Sequence, residues 1–240
     1  INYNALYRQF ATAAQPKEVW SSEFGYASDN SMQGTALVVP GFQASTAPAA
    51  IKAKFDKQEI QAEWIVRDIL EMQAGGWDRA MIYWYQDDKG IHNDERDNAG
   101  IGGWDKNCGI IKNEQNNAQP KKAFYYVATL KNLLTGYKFK GEITQGCTAN
   151  PDDVYNSPSI CPKVYQFENG TNVAWVAWYP TSNAVEKNNI AIKLGNKRAN
   201  GTTISVSTVQ VVNLEYPSET GYNINNTLTY NTGNITIPVL

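Results

Sequence analysis

Glu18-Val19-Trp20-Ser21-Ser22-Glu23-Phe24-Gly25-Tyr26 is the stretch on which the fold turns. Its β-branched and aromatic residues make a short strand, and Gly25 stops it. Upstream, Leu6, Phe10, Ala13 and Ala14 recur at helical spacing until Pro16 and Lys17 end the segment. Downstream, Ala27 to Phe55 is rich in Ser, Gly, Ala and Pro and holds no sustained period. A loop of that kind is uncommon inside a compact domain and is often a functional rim or lid. A helix is expected over Lys57–Ala74, with Ile60, Trp64, Ile69 and Leu70 roughly on one face and Gly75-Gly76 as the stop. Asp78–Asp87 reads as a second strand, nearly all apolar from Ala80 through Tyr85. Such a run suits a strand buried on both faces, as in a parallel sheet. A polar loop, Asp88–Gln119, then leads to a helix with Pro120 at its first position, a stripe of Ala123, Val127, Leu130 and Leu134, and Gly136 at its end.

Strand, helix, strand, helix with no hairpin predicts βα units and a parallel sheet. Two strands cannot close a barrel, and their open edges call for partners outside these residues. After Gly141 the pattern changes. Lys163–Glu168, Asn172–Tyr179, Asn189–Leu194, Thr202–Val212 and Asn234–Val239 are β-rich and separated by Asn/Gly turns. They predict an antiparallel β-sandwich of roughly eight strands. The expected organisation is therefore α/β followed by all-β: residues 1–140 as α/β, 141–162 as a linker loop, and 163–240 as the sandwich.

Composition narrows the chemistry. The formal charge is −2, from 21 Lys+Arg against 23 Asp+Glu. No basic stripe of the kind nucleic-acid binding leaves is present. No apolar run reaches the roughly 18 residues of a membrane-spanning helix. Hydrophobic residues at 42% suffice for a core. Seven Trp, 14 Tyr, 7 Phe and 25 Asn form the unusual part. Aromatic faces beside amides and carboxylates suit polyhydroxylated ligands, although most such residues also serve as core and turns.

A single histidine, His92, in a polar segment, leaves little room for a Ser–His–Asp or Cys–His site. His92 and three scattered Cys do not make a zinc set. His92–Asp97 has the composition of a calcium loop without the EF-hand spacing, and Gly100–Gly103 lacks the dinucleotide-binding context. No metal or cofactor is implied. Cys147 and Cys161 are spaced to staple a loop, which points to an oxidising compartment, and Cys108 is left over as a buried thiol. Sequons begin at Asn169, Asn200, Asn225 and Asn234. With the Cys pair they lean toward a secreted, periplasmic or cell-surface protein. The chain opens Ile1-Asn2-Tyr3 without Met or a signal peptide, so it is expected to be mature, processed or part of something longer.

Glu18–Tyr26 resembles the seventh-strand motif of the clan A retaining glycoside hydrolases, whose (β/α)8 barrels carry a nucleophilic Glu in patterns such as Trp-x-x-Glu-Phe-Gly. The likeness continues in order. Gln61-Ala62-Glu63-Trp64-Ile65-Val66-Arg67 resembles the seventh helix, Gly76-Trp77-Asp78-Arg79-Ala80 through Asp87 the eighth strand, and Gln119-Pro120-Lys121-Lys122-Ala123-Phe124-Tyr125-Tyr126 the eighth helix with its lead-in. A following sandwich is common in family-39-like bacterial sugar hydrolases. The resemblance covers roughly residues 1–140 and the sandwich only in general. It implies the last βα units of a TIM barrel, with the remainder of the barrel as a partner.

Carried over, the resemblance makes Glu23 the nucleophile. Its acid/base partner, expected on a fourth strand, matches no segment here, so this chain alone is expected not to turn over substrate. Trp84 is the candidate sugar platform, with Tyr83 as the alternative because strand neighbours face opposite ways. Asp87 is a candidate for hydrogen-bonding a sugar hydroxyl or orienting a neighbour, and Tyr26 for the rim. The implied activity is retaining hydrolysis of poly- or oligosaccharides. The competing readings are a non-catalytic surface or assembly protein on the same scaffold and a carbohydrate-binding module using Trp175 or Trp178.

Overall fold

A computed structural model describes residues 18–26, 57–83, 85–87, 108–112, 117–147, 161–179, 188–214 and 220–239. The chain divides into two compact units, one of Ile1–Leu37 with Phe55–Leu130 and one of Val38–Lys54 with Lys131–Leu240. The expected helix over Leu6–Ala14, the loop Ala27–Phe55 and most of the loop Asp88–Gln119 lie outside the described residues.

In the first unit, β1 (Trp20–Phe24) runs parallel to β2 (Arg79–Ile82), with α1 (Lys57–Ala74) as the crossover. Parallel neighbours cannot be joined by a hairpin, so a crossover of this length is what the pairing demands. Asp78 starts the ladder: its carboxylate accepts from the Val19 N–H at 2.8 Å, and its own N–H donates to the Val19 carbonyl at 2.9 Å. α1 has the expected bounds, and its end closes when the Trp77 N–H reaches back to the Met72 carbonyl at 3.0 Å.

The buried face of α1 differs from the expected stripe. Gln61, Ala62, Ile65, Val66 and Leu70 are buried, while Trp64 and Ile69 are only partly covered. The Trp64 indole instead stands edge-on to Tyr26. The second strand also differs. β2 holds four residues, and Ala80 and Met81 are exposed, not buried on two faces. Beyond it Asp87 N–H donates to Ile111 and the N–H groups of Ile110 and Ile111 donate to Tyr85, so the strand is prolonged as a narrow bridge. Among the described residues only β1 and this bridge flank it, and Tyr85 is left 66% exposed.

α2 (Lys122–Leu134) begins two residues after Pro120. Pro120 instead forms a bridge with Ile111, and the Lys121 N–H donates to the Ile110 carbonyl at 2.9 Å. The buried stripe is Ala123, Tyr126, Thr129 and Leu130, with Val127 and Leu134 partly covered. No helix among the described residues is long and apolar enough to cross a membrane.

The second unit is antiparallel. β3 (Lys138–Glu142), β4 (Lys163–Asn169) and β5 (Asn172–Trp178) form one sheet in chain order. β6 (Asn188–Lys193) pairs with β9 (Asn234–Val239), and β7 (Thr208–Val212) pairs with β8 (Ile224–Thr229). Val164, Ile192, Leu194, Ile204, Tyr230, Ile235 and Ile237 form one buried core, and Val173, Trp175, Val209 and Leu228 pack against it. All three sheets feed that core. Period-2 alternation sends Trp175 inward, where its ring stacks on Tyr230. The opposite face of β4 carries Tyr165 and Phe167, edge-on to Phe139 of β3.

Three details of the second unit depart from expectation. β3 crosses the expected boundary at residue 140, because Phe139 pairs with Phe167 of β4, and the two-unit division falls after Leu130. The expected strand Thr202–Val212 shortens to β7, since the Ile204 N–H turns to the Asn196 carbonyl. β8 was not expected at all: Ile-Asn-Asn-Thr-Leu-Thr offers one inward apolar residue, Leu228, on a strand otherwise facing solvent. Cys147 and Cys161 form a disulfide with Cα atoms 5.8 Å apart, and Cys108 is buried outside that bridge.

Candidate active site at the end of strand β1

Glu23 sits one residue from the C-terminal end of β1 and faces solvent. Its placement follows from an irregular ladder. Ser21 pairs with Ala80 and Phe24 with Ile82, so Ser22 and Glu23 together oppose a single residue, Met81. The extra residue is a bulge, a device that re-aims a side chain and recurs beside active sites. It explains why consecutive residues Ser22 and Glu23 are both exposed where a regular strand would bury one.

The chain just after Glu23 is pinned at close range. The Tyr83 N–H donates to the Phe24 carbonyl at 2.7 Å. A Cβ on Gly25 would overlap the carbonyl oxygen of Tyr83, so only glycine lets the two strands approach this closely. Gly109 is constrained in the same way, since a Cβ there would overlap the backbone of Gln86 and Asp87.

Tyr26 is half-buried against α1. Its hydroxyl donates to Asp68 Oδ2 at 2.6 Å, and its ring stands edge-on to Trp64 with centroids 5.1 Å apart. Burial, then the Asp68 carboxylate, pushes the phenol above its ordinary range. Burial likewise raises Asp68, against the lowering effect of the Tyr26 hydrogen bond and with a further push from Glu71. Tyr26 is thus tied to the helix through its polar end.

Asp87 is drawn inward. Its carboxylate meets Lys121 Nζ at 2.6 Å and accepts the Gly109 N–H at 3.0 Å, with the side chains of Asp87 and Lys121 only 2% and 0% exposed. A buried carboxylate held by a buried ammonium fixes the chain ends it joins, and it does not present itself to a sugar hydroxyl in this arrangement. Trp84, the candidate platform, lies outside the described residues. Its alternative, Tyr83, is 36% exposed on the strand beside Gly25.

One buried polar side chain carries no functional signal in the sequence. Gln61, fully buried on α1, donates through Nε2 to the carbonyls of Tyr26 at 2.7 Å, Gly109 at 3.1 Å and Cys108 at 3.3 Å. The available signal was an amide one turn before Ile65, on the same row of the helix. At the opposite end of β1, Glu18 accepts from Trp20 Nε1 at 2.7 Å and from Arg79 at 3.1 Å. The Arg79 hydrogen bond first, and Trp20 second, hold the Glu18 carboxyl below its ordinary value.

Among the described residues no group of three or more His, Cys, Asp or Glu side chains could hold a metal ion. The sequon residues Asn169, Asn200, Asn225 and Asn234 are all exposed. Asn169 closes the β4–β5 hairpin, and Asn200 caps its own turn by accepting the Thr202 N–H at 3.0 Å. No protein-family model, curated protein or solved structure matches the chain.

Proposed function

We propose that this chain is the C-terminal portion of a retaining glycoside hydrolase of poly- or oligosaccharides, with Glu23 as its nucleophile. The observation that carries the reading is the bulge that presents Glu23 to solvent at the carboxyl end of a parallel strand. Barrel enzymes keep their catalytic groups at that end of their strands. In this reading β1, α1, β2 and α2 are the last βα units of a (β/α)8 barrel. The single core shared by three antiparallel sheets supports a sandwich domain following it in sequence.

The Glu23 carboxylate would attack the anomeric carbon as a second carboxyl, about 5–5.5 Å away, protonates the departing oxygen. That second carboxyl, left ionised by the first step, then takes a proton from water, which attacks the anomeric carbon and releases the Glu23 carboxylate. That acid/base residue, and the rest of the barrel that must flank β1, would lie outside residues 1–240. The isolated chain would therefore not turn over substrate. The disulfide supports a secreted, periplasmic or cell-surface setting.

The test is to treat the full-length protein with dinitrophenyl 2-deoxy-2-fluoroglycosides of the gluco, galacto and xylo series and to map the adduct by mass spectrometry. An adduct on the peptide containing Glu23 is expected, and attachment elsewhere overturns the assignment.

One observation favours a second reading, a non-catalytic surface, assembly or carbohydrate-binding protein on the same scaffold. Asp87 and the Tyr26 hydroxyl, both candidate sugar contacts, are engaged internally. On this reading the same protein binds glycans reversibly, and no fluoroglycoside adduct forms.

A further inference from the structure

We infer that Gln61 is a positioning residue for Glu23, a role that rests on the glycosidase reading above. The side chain is fully buried, and its amide nitrogen meets three backbone carbonyls from two separate stretches of chain. One carbonyl belongs to Tyr26, three residues beyond Glu23. The other two belong to Cys108 and Gly109, on the segment that bridges to the continuation of β2. Gln61 therefore joins the chain just after the carboxyl end of β1 to the neighbouring Cys108–Gly109 segment.

The surrounding contacts leave that end little freedom. Gly25 lies against Tyr83 with no room for a side chain, and Gly109 lies against Gln86 and Asp87 in the same way. Tyr26 is held a second time through its hydroxyl to Asp68. The bulge at Ser22–Glu23 is the free part between the regular ladder and this clamp. A bulged residue has no ladder partner of its own, so its direction is set by how firmly both flanks are held. The upstream flank is held by the Val19–Asp78 bonds, and Gln61 holds the downstream flank.

The amide is specific to this task. Carbonyl oxygens are acceptors only, so the clamp needs a donor without charge, and the Gln NH2 group supplies two hydrogens. A carboxylate in the same place would face three acceptors, whereas a protonated carboxyl could donate once. This difference gives Gln61→Glu a pH signature that loss of packing would not produce.

The experiment uses the full-length protein and the fluoroglycoside panel named above, following the rate of adduct formation at Glu23 between acidic and neutral pH. With Gln61→Glu, labelling is expected to fall by about 10²-fold at neutral pH, the loss a displacement of roughly 1 Å produces, and to recover in part on acidification relative to the parent. Gln61→Leu should show the loss without the recovery. Far-UV and near-UV spectra matching the parent's separate misplacement from unfolding. Equal labelling rates in parent and both variants overturn the positioning role while leaving Glu23 as nucleophile. So does a loss in Gln61→Glu that acid does not relieve. Absence of a Glu23 adduct in the parent protein overturns both claims.

Discussion

Three carboxylates of the first unit differ in their surroundings, Glu23 being exposed, Asp68 half-buried and Asp87 buried. Glu23 is solvated, so Glu23→Gln should abolish fluoroglycoside labelling yet move stability by no more than about 0.5 kcal/mol in a urea titration. Asp68 is half-buried and its pKa is raised, so the folded state holds its proton more tightly than the unfolded chain does. Its contribution to stability is full below the ordinary value of 3.8 and is lost as pH rises through the raised value. Asp68→Asn keeps an acceptor for Tyr26 and should flatten the stability–pH curve over that window. Asp87 is buried and paired, so Lys121→Met should cost about 3–5 kcal/mol by stranding a charge. Adding Asp87→Leu should return much of that loss. The sequence reading placed Glu23 on its strand end from the motif alone. The role of Asp87 stays open in the sequence because nothing local announces a partner 34 positions away. Gln61 was silent for a similar reason, since its three acceptors are backbone atoms and carry no sequence signature.

Elements were legible where the pattern is local. α1 begins and ends where periodicity and Gly75-Gly76 put it, because a helix satisfies its own backbone. Its buried face is less legible, since residues as small as Ala62 and Val66 are buried while Trp64 and Ile69 are only partly covered. Ile65→Ala should therefore cost about 2–5 kcal/mol, and Ile69→Ala distinctly less, in the same urea titration. β8 escaped notice because an edge-like strand needs no alternation beyond Leu228. β2 was expected to be buried through Tyr85, and its exposure measures how much covering surface the described residues lack. Gly25→Ala should destabilise the pairing of β1 with β2, since the new methyl group meets the rigid Tyr83 carbonyl. Amide hydrogen exchange at Phe24 and Tyr83 would report it as faster exchange confined to that ladder.

At the scale of the molecule the two units draw on different sources of stability. The second unit has an apolar core common to its three sheets and a disulfide across 14 positions. Cys161→Ser should lower its stability by about 3 kcal/mol on chain-entropy grounds, read as an earlier thermal transition under oxidising conditions that a reductant brings on in the parent. The strand order of this unit also dictates a schedule. β6 and β9 are far apart in sequence, with Ile190 opposite Ile237, while β7 and β8 pair inside the interval between them. Closing the outer pair first would fix a long flexible loop. Once the inner hairpin has formed, the same closure confines a much shorter length of free chain. The nested pairs should therefore zip from the inside outward, and pulse-labelled exchange during refolding would find Val209 and Leu228 protected before Ile190 and Ile237.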